Sequence, residues 1–317
     1  MSVLISGSMA YDTVLSYEGR FAENLHAEAL DRLNLTFPAA RMRRDFGGCA
    51  GNIAYALRLL GGSPLPWGCL GVDAAPYLER FRALGIPADG IRTLPDDLTA
   101  QCFITTDADG NQLASFYGGA MDRSEEAPWP SHPTDPPTLA ILSPGGRTAM
   151  PVHAQLCRAH GVPYIFDPGQ AAPLFSKAAL LDMIQGALAL AFSDYEEEII
   201  RLATGCSPAD FARAGKIVFH THGAAGSSVW LPQQTAPVEV EALALSPNAE
   251  ADPVGAGDAY RGGILYALSR GLDAVAGARL GAVLGAAKAA CRGAQAYSLT
   301  LDEARRRYQA QWGGAPF

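Results

Sequence analysis

Residues 252–271, Asp-Pro-Val-Gly-Ala-Gly-Asp-Ala-Tyr-Arg-Gly-Gly-Ile-Leu-Tyr-Ala-Leu-Ser-Arg-Gly, constrain this chain more than any other stretch. A loop carrying Gly255 and Gly257 runs straight into an apolar helix through Ala259, Ile264, Leu265 and Leu268. The first N–H groups of a helix have no partner inside it and lie at the positive end of its dipole, so Gly255, Ala256 and Gly257 are expected to form an anion site. Asp258 falls in the first turn, where a carboxylate either caps N–H groups or takes a proton from a hydroxyl held beside the anion. A carboxylate beside an anion hole suggests phosphoryl transfer. Two familiar phosphate loops are excluded. Tyr260 stands where G-x-G-x-x-G needs a third small residue, and Gly215-Lys216 continues with Ile217 where a Walker loop needs Ser or Thr.

The stretch from Asp252 to Leu265 resembles the C-terminal signature of the ribokinase-like, or phosphofructokinase B, carbohydrate kinases. Gly47-Gly48 with Asn52, Thr221-x-Gly223 with Gly226, and the order of these motifs extend the likeness over nearly the whole chain. Gly7-Ser8-Met9-Ala10-Tyr11-Asp12, and the segment from Asn111-Gln112 to Gly119-Ala120-Met121, are most similar to the bacterial adenosine and nucleoside kinase branch. The resemblance implies a three-layer α/β fold, with a mostly parallel sheet, helices on both faces and a small β-sheet lid. It implies one kinase domain over 1–317, with a discontinuous lid within about 13–46 and 98–119.

The residue pattern agrees with that architecture. Residues 2–7 read as a buried first strand that brings Asp12 just past its carboxyl end, the edge where open α/β sheets bind ligands. Gly47 and Gly48 open a helix through Leu60 that stops at Gly61-Gly62. Strands at 138–143, 162–166, 188–192 and 215–220 alternate with helical patterns near 147–160, 176–186 and 194–204, which implies parallel pairing. Residues 99–106 and 112–118 flank Asp107-Ala108-Asp109-Gly110-Asn111, a hairpin signal inside a strand–helix chain. Residues 122–137, with five prolines, read as a loop returning to the main body. The Ala- and Gly-rich segment 272–291 reads as a closely packed helix and nothing more.

The resemblance also assigns roles. Asp12, Gly47, Gly48 and Asn52 would hold sugar hydroxyls, Asp258 would be the catalytic base, and the N–H groups of Gly255, Ala256 and Gly257 would steady the transferring phosphoryl group. Ser193, Thr221, Gly223, Gly226, Gly255 and Gly257 would contact ATP. Glu196 would organise magnesium through water, and Asp252 a monovalent cation such as potassium. Ser193 stands where the family's Asn-x-x-Glu motif has Asn. From the residues alone, Asp194 and Glu196 are helix-start acids that need no function. Phe103 and Phe116 either pack within the lid or stack on a nucleobase. Gln170, with Asp167, either lines the cleft or makes a plain turn. Arg41, Arg43 and Arg44 form either a solvated basic face or a clamp for a phosphorylated substrate. His220 and His222 share same-face strand spacing, but a metal site needs further ligands, so a structural role is preferred.

A net charge of −8 argues against a nucleic-acid partner. The six scattered cysteines, without C-x-x-C, point to a reduced, cytoplasmic protein, and no stretch approaches the ~20 apolar residues of a membrane span. The expected activity is ATP- and magnesium-dependent phosphorylation of the 5′-hydroxyl of a purine ribonucleoside. Rivals are a kinase for a free sugar or sugar phosphate, a non-catalytic nucleoside-binding protein and, weakest, a dehydrogenase. A homodimer through the lid is the expected assembly.

Overall fold

Side chains of the first strand point alternately into two separate cores. In the computed structural model, which describes residues 1–25, 34–130, 135–245, 251–314 and 317, β1 (Ser2–Ser6) is buried throughout. Val3 and Ile5 enter one core and Leu4 the other. Burial on both faces explains the unbroken apolar run. The chain then leaves the main sheet. β2 (Ala10–Tyr17) pairs antiparallel with β3 (Ala39–Gly47), and after α1 (Cys49–Leu59), β4 (Ser63–Leu70), α2 (Ala75–Leu84) and β5 (Ile91–Thr93) the lid is completed by β6 (Ala100–Thr106) and β7 (Gln112–Tyr117). Its strand order is β3-β2-β6-β7.

From β8 (Pro137–Leu142) the alternation is regular: α3 (Ala149–Ala159), β9 (Tyr164–Phe166), α4 (Lys177–Gly186), β10 (Ala189–Ser193), α5 (Asp194–Thr204), α6 (Pro208–Arg213) and β11 (Ile217–Thr221). Two antiparallel edge strands follow, β12 (Ser227–Trp230) and β13 (Val238–Val240), then α7 (Ala256–Leu268), α8 (Ala274–Ala289) and α9 (Leu301–Trp312). The nine-stranded order is β13-β12-β11-β10-β9-β8-β1-β4-β5. Helices α1, α2, α7, α8 and α9 pack on the Val3 and Ile5 face, and α3 to α6 on the Leu4 face, giving the three layers expected.

Helix α7 packs closely against both α1 and α8. Ile264 and Leu265 are fully buried, each stabilising by about 1.5–3 kcal/mol. A Cβ on Gly262 would meet Ala56 of α1 at 2.5 Å, and one on Gly263 would meet the backbone of Gly281 in α8 at 2.5 Å. Both glycines are therefore set by close helix approach, and the loop before α7 inherits a rigid support.

Two expectations change. Asp12 lies within lid strand β2 and not in a turn beyond β1, because β2 already begins at Ala10. The expected loop at 122–137 begins instead as part of a 3₁₀ turn, Gly119–Glu126, which buries Met121 and Ser124, while 131–134 lie outside the described residues. Residues 26–33 of the expected lid lie outside them as well. The sequence pattern does not announce the short β5, α6 or α9.

Candidate active site

Gly255 caps α7 in a left-handed conformation, φ +80°. Ala256 N–H donates to the Pro253 carbonyl at 3.0 Å, so one of the three expected anion-hole donors is spent closing the turn. This corrects the role given to Ala256. Gly255 and Gly257 keep N–H groups without a partner among the described residues. Beside them, Asn52 Nδ2 donates to Asp258 Oδ2 at 2.9 Å. Gln295 Nε2 donates both to Asn52 Oδ1 and to Tyr77 Oη, each at 3.2 Å, and Tyr77 in turn donates to the Gly47 carbonyl at 2.6 Å. Asn52, assigned to sugar hydroxyls, is thus first of all a support for Asp258, with one amide hydrogen left for a substrate. Burial pushes the Asp258 carboxyl up to about 7, with Asp167 adding to the rise and Asn52 and Arg261 opposing it. A base poised near neutrality suits proton abstraction from a hydroxyl.

Arg261, three residues after Asp258 on α7, escapes the sequence reading. It is buried and grips Asp167 through two parallel bonds, Nε to Oδ2 at 3.0 Å and Nη2 to Oδ1 at 3.1 Å. Its Nη2 is also 3.9 Å from Glu196 Oε2. Burial still raises Asp167 to about 6, because Arg261 only partly offsets it and Glu196 adds repulsion. Asp167 therefore anchors α7 to the end of β9. Gln170 is exposed in the 3₁₀ turn that follows and makes no hydrogen bond to any of these groups, which favours the plain-turn reading.

On the lid side, Gly47 is opposite Ala10, and a Cβ there would meet Asp12 Oδ2 at 2.2 Å. The missing side chain makes room for the Asp12 carboxylate. Gly48, in contrast, lies against backbone of the turn at 8–10, where a Cβ would stand 2.6 Å from the Ser8 carbonyl oxygen, and it serves packing. Asp45 is directly opposite Asp12, and burial together with that like charge lifts Asp12 to about 6, with Arg43 opposing. Arg43 itself pairs with Asp45 at 2.8 Å. Strand register separates the two aromatic candidates. Phe116 is opposite Cys102, which is opposite Asp12, so Phe116 shares the Asp12 face. Phe103 pairs with Ser115 and lies on the other face, because successive strand residues alternate. That face also holds Tyr11, with Arg44 stacked 3.7 Å from its ring centroid and paired with Asp73. Phe103 is accordingly withdrawn from the substrate set.

At the ends of β10 and β11 the nucleotide candidates separate. The Ser193 hydroxyl accepts from Glu196 N–H at 3.4 Å, while Glu196 Oε2 accepts from Ser193 N–H at 2.6 Å. This is a capping box, so Ser193 acts as an N-cap and its hydroxyl is already engaged. Glu196 Oε1 makes no hydrogen bond among the described residues. Magnesium characteristically takes one or two carboxylate oxygens and keeps waters, so the donor set fits that ion. Among the described residues the Thr221 hydroxyl makes only a long 3.5 Å bond to Phe192 O, and a Cβ on Gly223 would meet nothing within 4 Å, which leaves both open to a phosphate. Gly226 is different: a Cβ would meet Val240 O at 2.2 Å, so the β13 backbone requires a glycine here, and its N–H is already given to Gly223 O at 3.2 Å. His220 and His222 meet Asp194, the first residue of α5, at 2.9 and 2.7 Å, so three side chains able to take a metal lie together there.

Asp252 does not present itself to an alkali ion. Its Oδ2 accepts from Gly293 N–H at 3.0 Å and lies 3.1 Å from Lys288 Nζ, and Oδ1 accepts from Val254 N–H at 3.1 Å. Burial opposes ionisation, but these donors outweigh it and hold the carboxyl below its ordinary range. The chain's own ammonium stands where the monovalent cation was expected.

A carboxylate raised toward neutrality at a helix N terminus, N–H groups without a partner among the described residues and a second carboxylate on the lid are the kind of groups a phosphotransferase uses. Similarity to known proteins agrees. The pfkB family carbohydrate kinase model matches residues 5–301, and the chain belongs to that family. It is 27% identical over 300 residues to a nucleoside kinase of Methanothermobacter thermautotrophicus, covering 92% of this chain and 94% of that one. The structure of Burkholderia thailandensis nucleoside kinase in complex with inosine is similar with a TM-score of 0.87 and 41% identity, covering 99% of each chain. The same enzyme in complex with ADP-inosine matches at 40% identity and a TM-score of 0.83, covering 99% of this chain and 97% of that one.

Proposed function

We propose that the chain is an ATP-dependent nucleoside kinase that phosphorylates the 5′-hydroxyl of a purine ribonucleoside, working as one kinase domain over 1–317. The observation that carries this is Asp258, held by Asn52 beside the unpaired N–H groups of Gly255 and Gly257. Asp258 takes the hydroxyl proton, a role that typically contributes ~10²–10⁴-fold. The two N–H groups steady the negative charge of the transferring phosphoryl group, and Thr221 with Gly223 holds the phosphates behind it. Glu196 would hold magnesium, whose charge offsets that of the phosphates when bound. Asp12 takes ribose hydroxyls, Phe116 covers the base, and closure of the lid keeps water from the phosphoryl group.

The lid chemistry supports a neutral acceptor over a sugar phosphate. Arg43 is neutralised by Asp45 and Arg44 is turned to the other face, while two carboxylates, Asp12 and Asp45, would repel an anion. The hint of a non-catalytic protein also weakens, since Ser193 preserves the helix start and leaves Glu196 in place. The six cysteines are free, in keeping with a proposed cytoplasmic location. No helix among the described residues is long and apolar enough to cross a membrane. The lid exposes Met42, Phe103, Leu113 and Tyr117 on the face turned away from Asp12, which fits the proposed homodimer; a monomer by light scattering refutes it.

The test is ADP release with Mg-ATP over inosine, adenosine, guanosine, cytidine, ribose, fructose and fructose 6-phosphate. Turnover on purine nucleosides supports the proposal. Turnover on sugars alone overturns the substrate, and silence across the panel overturns the kinase.

A further inference from the structure

Lys288 is wholly buried in the last turn of α8, in a stretch whose other residues are nearly all Ala, Gly, Val and Leu. Its Nζ donates to Asp252 O at 2.7 Å and Cys291 O at 3.0 Å, and meets Asp252 Oδ2 at 3.1 Å. Three hydrogens face three oxygens, so the ammonium is fully satisfied. Withdrawing an ammonium from water costs several kcal/mol unless its surroundings compensate, and here two carbonyls and a carboxylate do so. Those oxygens belong to the two segments that meet below the anion loop: Asp252 opens residues 252–257, and Cys291 precedes Gly293, whose N–H binds Asp252. Asp252 N–H is also tied to Ala289 O at 2.9 Å.

We propose that the Lys288 ammonium is a built-in monovalent cation, a positioning residue that holds loop 252–257 in its working shape without potassium. An ammonium and an alkali ion carry the same single charge and take the same carbonyl and carboxylate oxygens, so one excludes the other from this cage. The consequence for catalysis rests on the proposed phosphoryl transfer at Gly255, Gly257 and Asp258, whereas the cage itself does not.

The experiment measures thermal unfolding and nucleoside turnover in potassium chloride against tetramethylammonium chloride at equal ionic strength. In the wild type both readouts should stay within about twofold, or within a degree, across the series. Lys288→Ala should unfold earlier, lose turnover tenfold or more at unchanged nucleoside affinity, and regain both in potassium or ammonium but not in tetramethylammonium. A wild type whose unfolding temperature or turnover climbs saturably with potassium overturns the proposal, and this arm needs no variant to fold. So does a Lys288→Ala enzyme that matches the wild type in potassium-free buffer. Flat unfolding in the wild type with no nucleoside turnover in any buffer sinks the kinase assignment and leaves the cage standing.

Discussion

Asn52 and Asp258 are 206 positions apart and joined by a single hydrogen bond of 2.9 Å, which ties the first helix of the main body to the candidate base. The bond has two effects. It fixes the carboxylate beside the free N–H groups of α7, and it favours the ionised form that burial disfavours.

Replacing Asp258 by Asn keeps the shape and an acceptor for Asn52 but removes the proton acceptor. Turnover should fall by about 10²–10⁴-fold while the dissociation constant for the nucleoside changes little. Steady-state kinetics paired with calorimetric binding separates the two. A variant with near-normal turnover removes Asp258 from its role.

The pH dependence follows from the same residue. A base must be ionised, so kcat/KM should rise with pH through about 7 and level off above it. Asn52→Ala removes a donor that holds the pKa down, and the rising limb should move to higher pH. For stability the sign is reversed: raising the pKa from 3.8 to about 7 means the fold favours the protonated acid, a contribution present below about 4 and lost as pH rises through 7. Asp258→Asn should therefore raise Tm more at pH 8 than at pH 5, and an equal change at both would show that burial is not the cause.

Arg261→Leu leaves Asp167 buried without its partner. Breaking a buried pair from one side typically costs about 3–5 kcal/mol, measurable as a lower midpoint in urea. Asp167 rises to about 6 even with Arg261 present, so the unpaired acid will take up a proton readily and the deficit should widen from pH 5 to pH 8. Changing both residues to Leu should recover much of the loss; if it does not, Arg261 has partners that matter more than Asp167.

The lid register gives a paired test. Phe116→Ala should raise the nucleoside KM by about 5- to 150-fold, the equivalent of about 1–3 kcal/mol of base stacking. Phe103→Ala, on the opposite face, should leave it within about twofold. Equal effects would contradict the assignment of faces.

Part of the lid and of the nucleotide end is legible in the chain alone. The five residues 107–111 close the hairpin so that Thr106 meets Gln112, and counting back puts Phe103 opposite Ser115 and Cys102 opposite Phe116. Alternation then separates the two aromatics, but only once a register is fixed. Ser193 with Glu196 also spells a capping box, S-x-x-E, legible as local chemistry. Lys288 leaves a fainter trace, as one of two charges in an Ala- and Gly-rich helix, the other being Arg279. Nothing local says whether such a lysine reaches water or turns inward.

The sequence by itself determined the layered α/β architecture, the helix start at Gly255 to Asp258 and the hairpin around residues 107–111, because strand burial, helix capping and turn geometry depend on neighbours within a few positions. Only the tertiary structure decided that Asn52 supports Asp258, that Arg261 holds Asp167 and that Lys288 fills the cage at Asp252. Each of those contacts joins residues from different elements, over separations of 206, 94 and 36 positions. Their geometry is set by how helices and strands pack, through close approaches such as Gly263 on Gly281, and packing distances are not written in any single stretch of chain.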